Sequence, residues 1–203
     1  MNKDLNGFCV WLTGLSGSGK TTLALLLENE LRQRGMQVEV LDEDTTRLTK
    51  RKGIVYSFKD RKVNLLEISL YVNSLIHDGI GVIVESTTPY QSVRGKNRKQ
   101  ISDIVEVFVE APLEVCARRD PKGLYAQALA GRKTNFTELN ILNEPPRSPD
   151  IIVPTHQESP KESLVRIVKG LEILGRIPVN SSGQVSPEET KLIEKHLRDL
   201  GYL

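Results

Sequence analysis

Two cysteines in 203 residues, at positions 9 and 116, are too few for a disulfide framework. They have no partner at CxxC spacing and read as small buried hydrophobes in a reducing compartment. Long apolar runs are also missing. No stretch of about 18 hydrophobic residues occurs and no charged-then-apolar leader opens the chain, so neither a membrane span nor a secretory signal is expected, and a cytoplasmic setting is. Net charge is small: 28 Lys and Arg against 26 Asp and Glu leave +2, too weak a bias to point to nucleic acid. There is no internal repeat. The remainder, 38% hydrophobic and 27% charged, is the composition of an ordinary globular protein, and the length suits one domain able to bury its own core.

Against that plain background one stretch stands out. Gly14-Leu15-Ser16-Gly17-Ser18-Gly19-Lys20-Thr21 matches G-x-x-x-x-G-K-[ST] at every fixed position. It follows an apolar run from Phe8 to Leu12 and precedes a helix-like run from Thr22 to Arg34. Strand, glycine loop and helix in that order form a phosphate cradle, because glycines let backbone N–H groups point inward and the helix start adds partial positive charge. Lys20 is then expected to reach the outer phosphates of ATP, and the Thr21 hydroxyl to ligate Mg²⁺. A glycine turn without a ligand is the bland alternative, and agreement of motif and context weighs against it.

Taken in order, the chain alternates strand and helix. Apolar positions 23, 24, 26, 27 and 31 give the first helix one buried face, and Gly35 ends it. A second strand, 38–41, runs into Asp42-Glu43-Asp44, an acidic cluster at the end of a strand where open parallel sheets bind ligands. Those carboxylates suit Mg²⁺ through water, or a proton from an acceptor hydroxyl, unless an Asp here simply caps the next helix. A helix opening at Asp60-Arg61, with apolar positions 63, 65, 66, 68, 70, 72, 75 and 76, stops at Asp78-Gly79. The strand 80–84 leads into Glu85, which stands where many P-loop proteins carry an acid for the Mg²⁺ water shell, and equally where a cap or ion-pair partner would sit. A polar helix over 91–102, a strand over 104–109, a helix from Pro112 to Arg118, a strand over 151–153 and a helix from Pro160 to Leu174 complete the pattern.

Between Lys122 and Pro149 the charges are many and the apolar periods few, which points to a lid. The fold expected is α/β, a three-layer P-loop NTPase fold with about five parallel strands flanked by helices. One P-loop domain is expected over 1–178 with a lid at about 119–149, followed over 179–203 by a linker and a C-terminal helix. That last helix starts at Ser186-Pro187 with a capping-box glutamate and needs a docking surface.

At this point the chain resembles the adenylylsulfate kinase family, which phosphorylates the 3′-hydroxyl of adenosine 5′-phosphosulfate. The resemblance rests on Trp11 to Gly17, on Leu41-Asp42 with Asp44 and Arg47, on Asp60-Arg61 with Asn64, and on Pro89-Tyr90. It continues through Pro112 to Cys116, Arg119-Asp120-Pro121-Lys122-Gly123-Leu124-Tyr125 and Asn135-Phe136-Thr137, and the segment beginning at Arg119 is the most specific. It covers about Gly7 to Asp150. The resemblance implies ATP bound by Gly14 to Thr22 with Arg119, and Lys20 and Asp42 as the catalytic pair. Mg²⁺ falls to Thr21. It implies an acceptor held by Asp44, Arg47, Tyr56, Arg61, Asn64, Thr88, Pro89 and Phe136, in which Arg47 and Arg61 hold sulfate and phosphate while Phe136 and Tyr56 enclose the adenine. A small-molecule nucleotide substrate and a homodimer are implied, with no nucleic acid or membrane partner.

Departures from the family pattern cluster on the acceptor side. Glu43 stands in place of glycine, Leu66-Glu67 of an arginine pair, Glu85 of a small or apolar residue, Thr88 of serine, Gln91 of arginine, Thr134 of lysine and Glu138 of glycine. Cations are lost there and glutamates gained. Two further readings therefore stand beside the first: the same kinase chemistry on another nucleotide-linked or small-molecule acceptor, and a non-catalytic nucleotide-binding regulator. Retention of Lys20, Thr21, Asp42, Arg47 and Arg61 argues against the regulator.

Overall fold

In the computed structural model, residues 7–42, 58–88, 90–131 and 144–179 are described, together with the single positions 191, 195 and 198. Over 58–66 the description covers the backbone alone.

Five strands form one sheet: β1 (Cys9–Thr13), β2 (Val38–Asp42), β3 (Gly81–Ser86), β4 (Ile104–Glu110) and β5 (Ile151–Pro154). Their order is β2-β3-β1-β4-β5 and every pairing is parallel. Parallel neighbours need crossovers, and five of the described helices lie in them: α1 (Lys20–Gln33), α2 (Phe58–His77), α3 (Gln91–Gln100), α4 (Leu113–Arg119) and α5 (Leu124–Leu129); α6 (Pro160–Ile173) follows β5. This is the expected three-layer α/β architecture.

Alternation along β1 assigns its side chains to two cores, since successive residues of a strand face opposite sides. Val10 and Leu12 pack with Leu23, Leu27 and Leu31 of α1 and with Ile167 and Leu171 of α6. Cys9 and Trp11 pack on the other side with Ile68, Val72 and Leu75 of α2 and with Val93 of α3. A third, small cluster of Ala111, Cys116 and Tyr125 lies against Leu15 of the glycine loop. Leu70, one of the apolar positions expected to line α2, is instead 68% exposed.

The periodicity placed most element ends within two residues. The largest differences are at β3, which runs on through Glu85 and Ser86, and at α5, a short helix inside the segment read as irregular. Asp120 starts α5 by accepting hydrogen bonds from the N–H groups of Tyr125 and Ala126. α6 opens on a capping box in which Ser159 and Glu162 bond each other's backbone, with Pro160 at the first helical position.

A buried ion cluster ties α3 to the sheet. Glu106 of β4 faces Arg94 at 3.5 Å and Arg98 at 3.2 Å, and Arg98 reaches Asp150 at 2.9 Å. Paired in this way, charges tolerate a site where a lone one would not. Arg94 also donates to the carbonyls of Thr88 and Glu144, joining the turn after β3 to the chain that returns into β5. The expected C-terminal helix lies outside the described residues except at Lys191, Lys195 and Arg198, which are helical and exposed.

Candidate active site

The glycine loop leaves the carboxyl end of β1, the strand flanked by β3 and β4, and enters α1. Its glycines are needed where they stand. A Cβ on Gly14 would lie 2.4 Å from the Val109 carbonyl oxygen, and one on Gly17, at φ 80°, 2.8 Å from that of Cys116. Only a residue without a side chain permits so close an approach. Gly19, at φ 109°, turns the chain into α1 from the left-handed region. The Ser18 N–H donates to the Leu15 carbonyl, and the Ser18 hydroxyl is buried with no hydrogen-bond partner among the described residues.

Lys20 folds back over this loop, its Nζ donating to the carbonyls of Gly14 at 3.0 Å and Leu15 at 2.9 Å. The ammonium is thereby held at the mouth of the loop as a fixed positive charge. Arg119, at the end of α4, donates to the Thr155 carbonyl at 2.7 Å and lies 3.4 Å from the carbonyls of Gly17 and Ser18. Thr155, just beyond β5, adds a 2.6 Å bond to the Ser18 carbonyl. Tyr125 closes the far side, its hydroxyl donating to the Ser16 carbonyl at 2.8 Å. With outward carbonyls engaged this way, the loop is a rigid frame. Its shape and Lys20 suit the phosphates of ATP.

Beside the loop, parallel pairing sets Asp42, the last residue of β2, directly opposite Glu85 of β3. Asp42 is half-buried and Glu85 is 7% exposed. Thr21, at the start of α1, stands beside the Glu85 carboxylate. Burial pushes the Glu85 carboxyl above its ordinary range. The Thr21 hydroxyl and the charges of Lys20 and Lys122 oppose this, and Asp42 adds to it. One hydroxyl and two carboxylates are hard oxygen donors, a set that fits Mg²⁺ held mainly by nucleotide and water. No group of three or more His, Cys, Asp or Glu able to hold a metal occurs among the described residues.

Thr88, expected among the acceptor residues, sits just past the end of β3. It is fully buried and has a positive φ of 22°. Its hydroxyl accepts from Trp11 Nε1 at 3.0 Å and lies 2.6 Å from the Ser86 hydroxyl. Its N–H donates to Ser86 and its carbonyl accepts from Arg94. The hydroxyl, N–H and carbonyl of Thr88 are thus each engaged inside the protein, where they shape the corner after β3.

The structure therefore brings together Gly14 to Thr22, Asp42, Glu85 and Arg119. Of the expected acceptor residues, Asp44, Arg47, Tyr56, Pro89 and Phe136 lie outside the described residues. Arg61 and Asn64 are placed only by backbone, in the first half of α2. Sequence reasoning did not assign Thr155 or Tyr125 to the site. The signal available for Thr155 was its position past the carboxyl end of a strand.

Comparison with known proteins agrees with this geometry. The family model described as adenylylsulphate kinase matches residues 6–154. A protein of Rippkaea orientalis named "Adenylyl-sulfate kinase" is 44% identical over 169 residues, covering 83% of this chain and 93% of its own length. A protein of Sorangium cellulosum named "Probable bifunctional SAT/APS kinase 2" is 43% identical over 174 residues, 86% of this chain, and the match spans 30% of that longer protein. Among solved structures, the Mycobacterium tuberculosis APS kinase CysC in complex with AMPPNP and APS superposes with a TM-score of 0.78 at 37% identity, covering 82% of this chain and 98% of the other. No helix among the described residues is long and apolar enough to cross a membrane. By matched motif, fold and sequence, the chain belongs to the adenylylsulphate kinase family.

Proposed function

We propose that this protein is a cytoplasmic, ATP-dependent kinase that phosphorylates the 3′-hydroxyl of adenosine 5′-phosphosulfate, giving 3′-phosphoadenosine 5′-phosphosulfate and ADP. The observation that carries this reading is the convergence of Lys20, Thr21 and Asp42 at the carboxyl ends of two strands beside a glycine loop that no larger residue could form. The loop amides and Lys20 hold the transferring phosphoryl group and offset the charge that builds on its oxygens. Asp42 orients the acceptor hydroxyl and takes its proton as the new O–P bond forms, while the bond between the β- and γ-phosphates breaks and ADP leaves. Mg²⁺, when bound beside Thr21, supplies charge neutralisation between the β- and γ-phosphates. Positioning supplies most of the rate, because the transition state is loose. Arg119 belongs to the ATP half of the site. Asp44, Arg47, Tyr56, Arg61, Asn64, Pro89 and Phe136 belong to the acceptor half, and a homodimer is part of the same reading.

The experiment is ADP release by the purified chain with Mg²⁺-ATP and adenosine 5′-phosphosulfate, with mass spectrometry of the nucleotide product. Stoichiometric ADP and a product heavier by one phosphoryl group are expected. Tight ATP binding without transfer would move the activity to another acceptor.

A further inference from the structure

The buried guanidinium of Arg94 gives its two terminal nitrogens to other parts of the chain and not to its counter-ion. Only Nε faces Glu106, at 3.5 Å, and the shorter contact to that carboxylate, 3.2 Å, belongs to Arg98. Charge neutralisation alone would turn the fork of nitrogens onto Glu106. Instead Nη1 donates to the Thr88 carbonyl, while Nη2 donates to the Glu144 carbonyl at 2.6 Å and to Gln91 Oε1 at 2.9 Å.

The two carbonyls share a property. Each belongs to a residue that precedes a proline, Pro89 or Pro145, so each lies in one planar peptide unit with a proline nitrogen. Thr88 is already fixed from the sheet, through the bonds to Trp11 and Ser86. Glu144 is exposed and lies outside the sheet, and its carboxylate accepts from the Gln91 N–H at 2.9 Å, in the first turn of α3. A guanidinium is rigid and planar, so the spacing between its N–H groups is constant. Arg94 therefore sets the distance between the corner after β3 and the chain at Glu144. In sequence, Pro89 follows the first of these points and Phe136 precedes the second, and both belong to the acceptor half of the site in the reading above.

Building on that kinase reading, we propose that Arg94, with Glu144, forms a positioning pair that sets the spacing of the acceptor half of the site and leaves the ATP half alone. It touches no reacting atom and acts through the Thr88 and Glu144 carbonyls. The glycine loop takes its own frame from Tyr125, Thr155 and Arg119, so a fault at Arg94 is felt by one substrate and not by the other.

The test pairs initial rates of the full chain, with adenosine 5′-phosphosulfate varied at saturating Mg²⁺-ATP, with calorimetric titration of ATP and a thermal melt. It compares the wild type with Arg94→Lys, Glu144→Ala and the double variant. Arg94→Lys keeps a positive charge beside Glu106 but replaces the fork by a single ammonium, which does not hold both carbonyls at one spacing. Its kcat/KM for the acceptor should fall by about tenfold, while its Kd for ATP stays within about twofold of wild type. Glu144→Ala removes the carboxylate from the Gln91 N–H and leaves the carbonyl, so its loss should be smaller, about threefold. It lies at the surface, and it carries the test if Arg94→Lys fails to fold. The double variant should lose less than the product of the two single losses, because both changes act on the placement of Glu144. Equal weakening toward both substrates, a lowered melting temperature with kcat/KM for the acceptor unchanged, or fully multiplicative losses would overturn the positioning role and leave the kinase reading in place. A wild type that binds ATP and transfers nothing to this acceptor would overturn both.

Discussion

The phenolic hydroxyl of Tyr125 donates a 2.8 Å hydrogen bond to the carbonyl of Ser16, bridging 109 residues of chain from the lid segment to the middle of the glycine loop. The ring is 1% exposed and packs with Cys116 and Ala111. Tyr125→Phe keeps that packing and leaves the Ser16 carbonyl without its donor, a loss of about 1 kcal/mol. Thermal melts should fall by about 2–4 °C. ATP affinity should drop by no more than about fivefold, read by titration.

Gly17 and Gly35 have nearly the same backbone angle, φ 80° and 82°, in very different surroundings. At Gly35 an added Cβ meets nothing within 4 Å, whereas at Gly17 it meets the Cys116 carbonyl at 2.8 Å. Gly35→Ala should therefore show only the conformational cost of a left-handed residue, about 1–2 kcal/mol. Gly17→Ala should melt at a lower temperature than Gly35→Ala and lose ATP binding, which Gly35→Ala keeps.

Lys20→Ala removes a charge that two loop carbonyls hold in place. A fall in kcat on the order of 10²–10³-fold is expected in the ADP-release assay, with far-UV circular dichroism unchanged. A rate near that of the wild type would exclude Lys20 from the chemistry.

Both thiols are buried. Burial, together with the nearby Asp103 charge, pushes the Cys9 thiol far above its ordinary range, so the reactive thiolate is suppressed. Ellman's reagent should find no fast-reacting thiol in the native chain and two equivalents once denaturant is added.

At Asp120, desolvation pushes the carboxyl up, and hydrogen bonds from the Ala126, Tyr125 and Leu124 N–H groups together outweigh it, leaving its pKa below the ordinary Asp value. A depressed carboxyl of this kind stabilises the fold above the usual value of 3.8 and stops doing so as pH falls through its lowered pKa. Amide exchange at Tyr125 and Ala126 should be protected at neutral pH. It should speed up in Asp120→Ala at pH 7, and in the wild type only under more acidic conditions than an ordinary aspartate would need.

Where one residue type at one spacing has a single physical use, the sequence was legible. The loop from Gly14 to Thr21, the buried face of α1 and the parallel α/β fold all read correctly, because glycine spacing and helical periodicity admit few alternatives. β3 was cut two residues short because Glu85 and Ser86 are polar, and only their pairing with Leu12 and Thr13 of β1 carries the strand through them. At Thr88, spacing cannot show that the hydroxyl already bonds Trp11 and Ser86. Leu70 looked like core because its apolar character fits the stripe, yet α2 leaves it in solvent. Thr155 carries no motif at all, and only the meeting of β5 with the glycine loop reveals it.

The sheet order gives the two halves of the site unequal freedom to change. β1, which ends in the glycine loop, is hydrogen-bonded along both edges, whereas β2, which delivers Asp42, stands at the border of the sheet with β3 alone beside it among the described residues. A shift at the end of β1 would have to be absorbed by two neighbours, and one at the end of β2 by a single neighbour. Retargeting this scaffold to a new acceptor is therefore a matter of rebuilding its rim, with ATP handling left untouched at its centre.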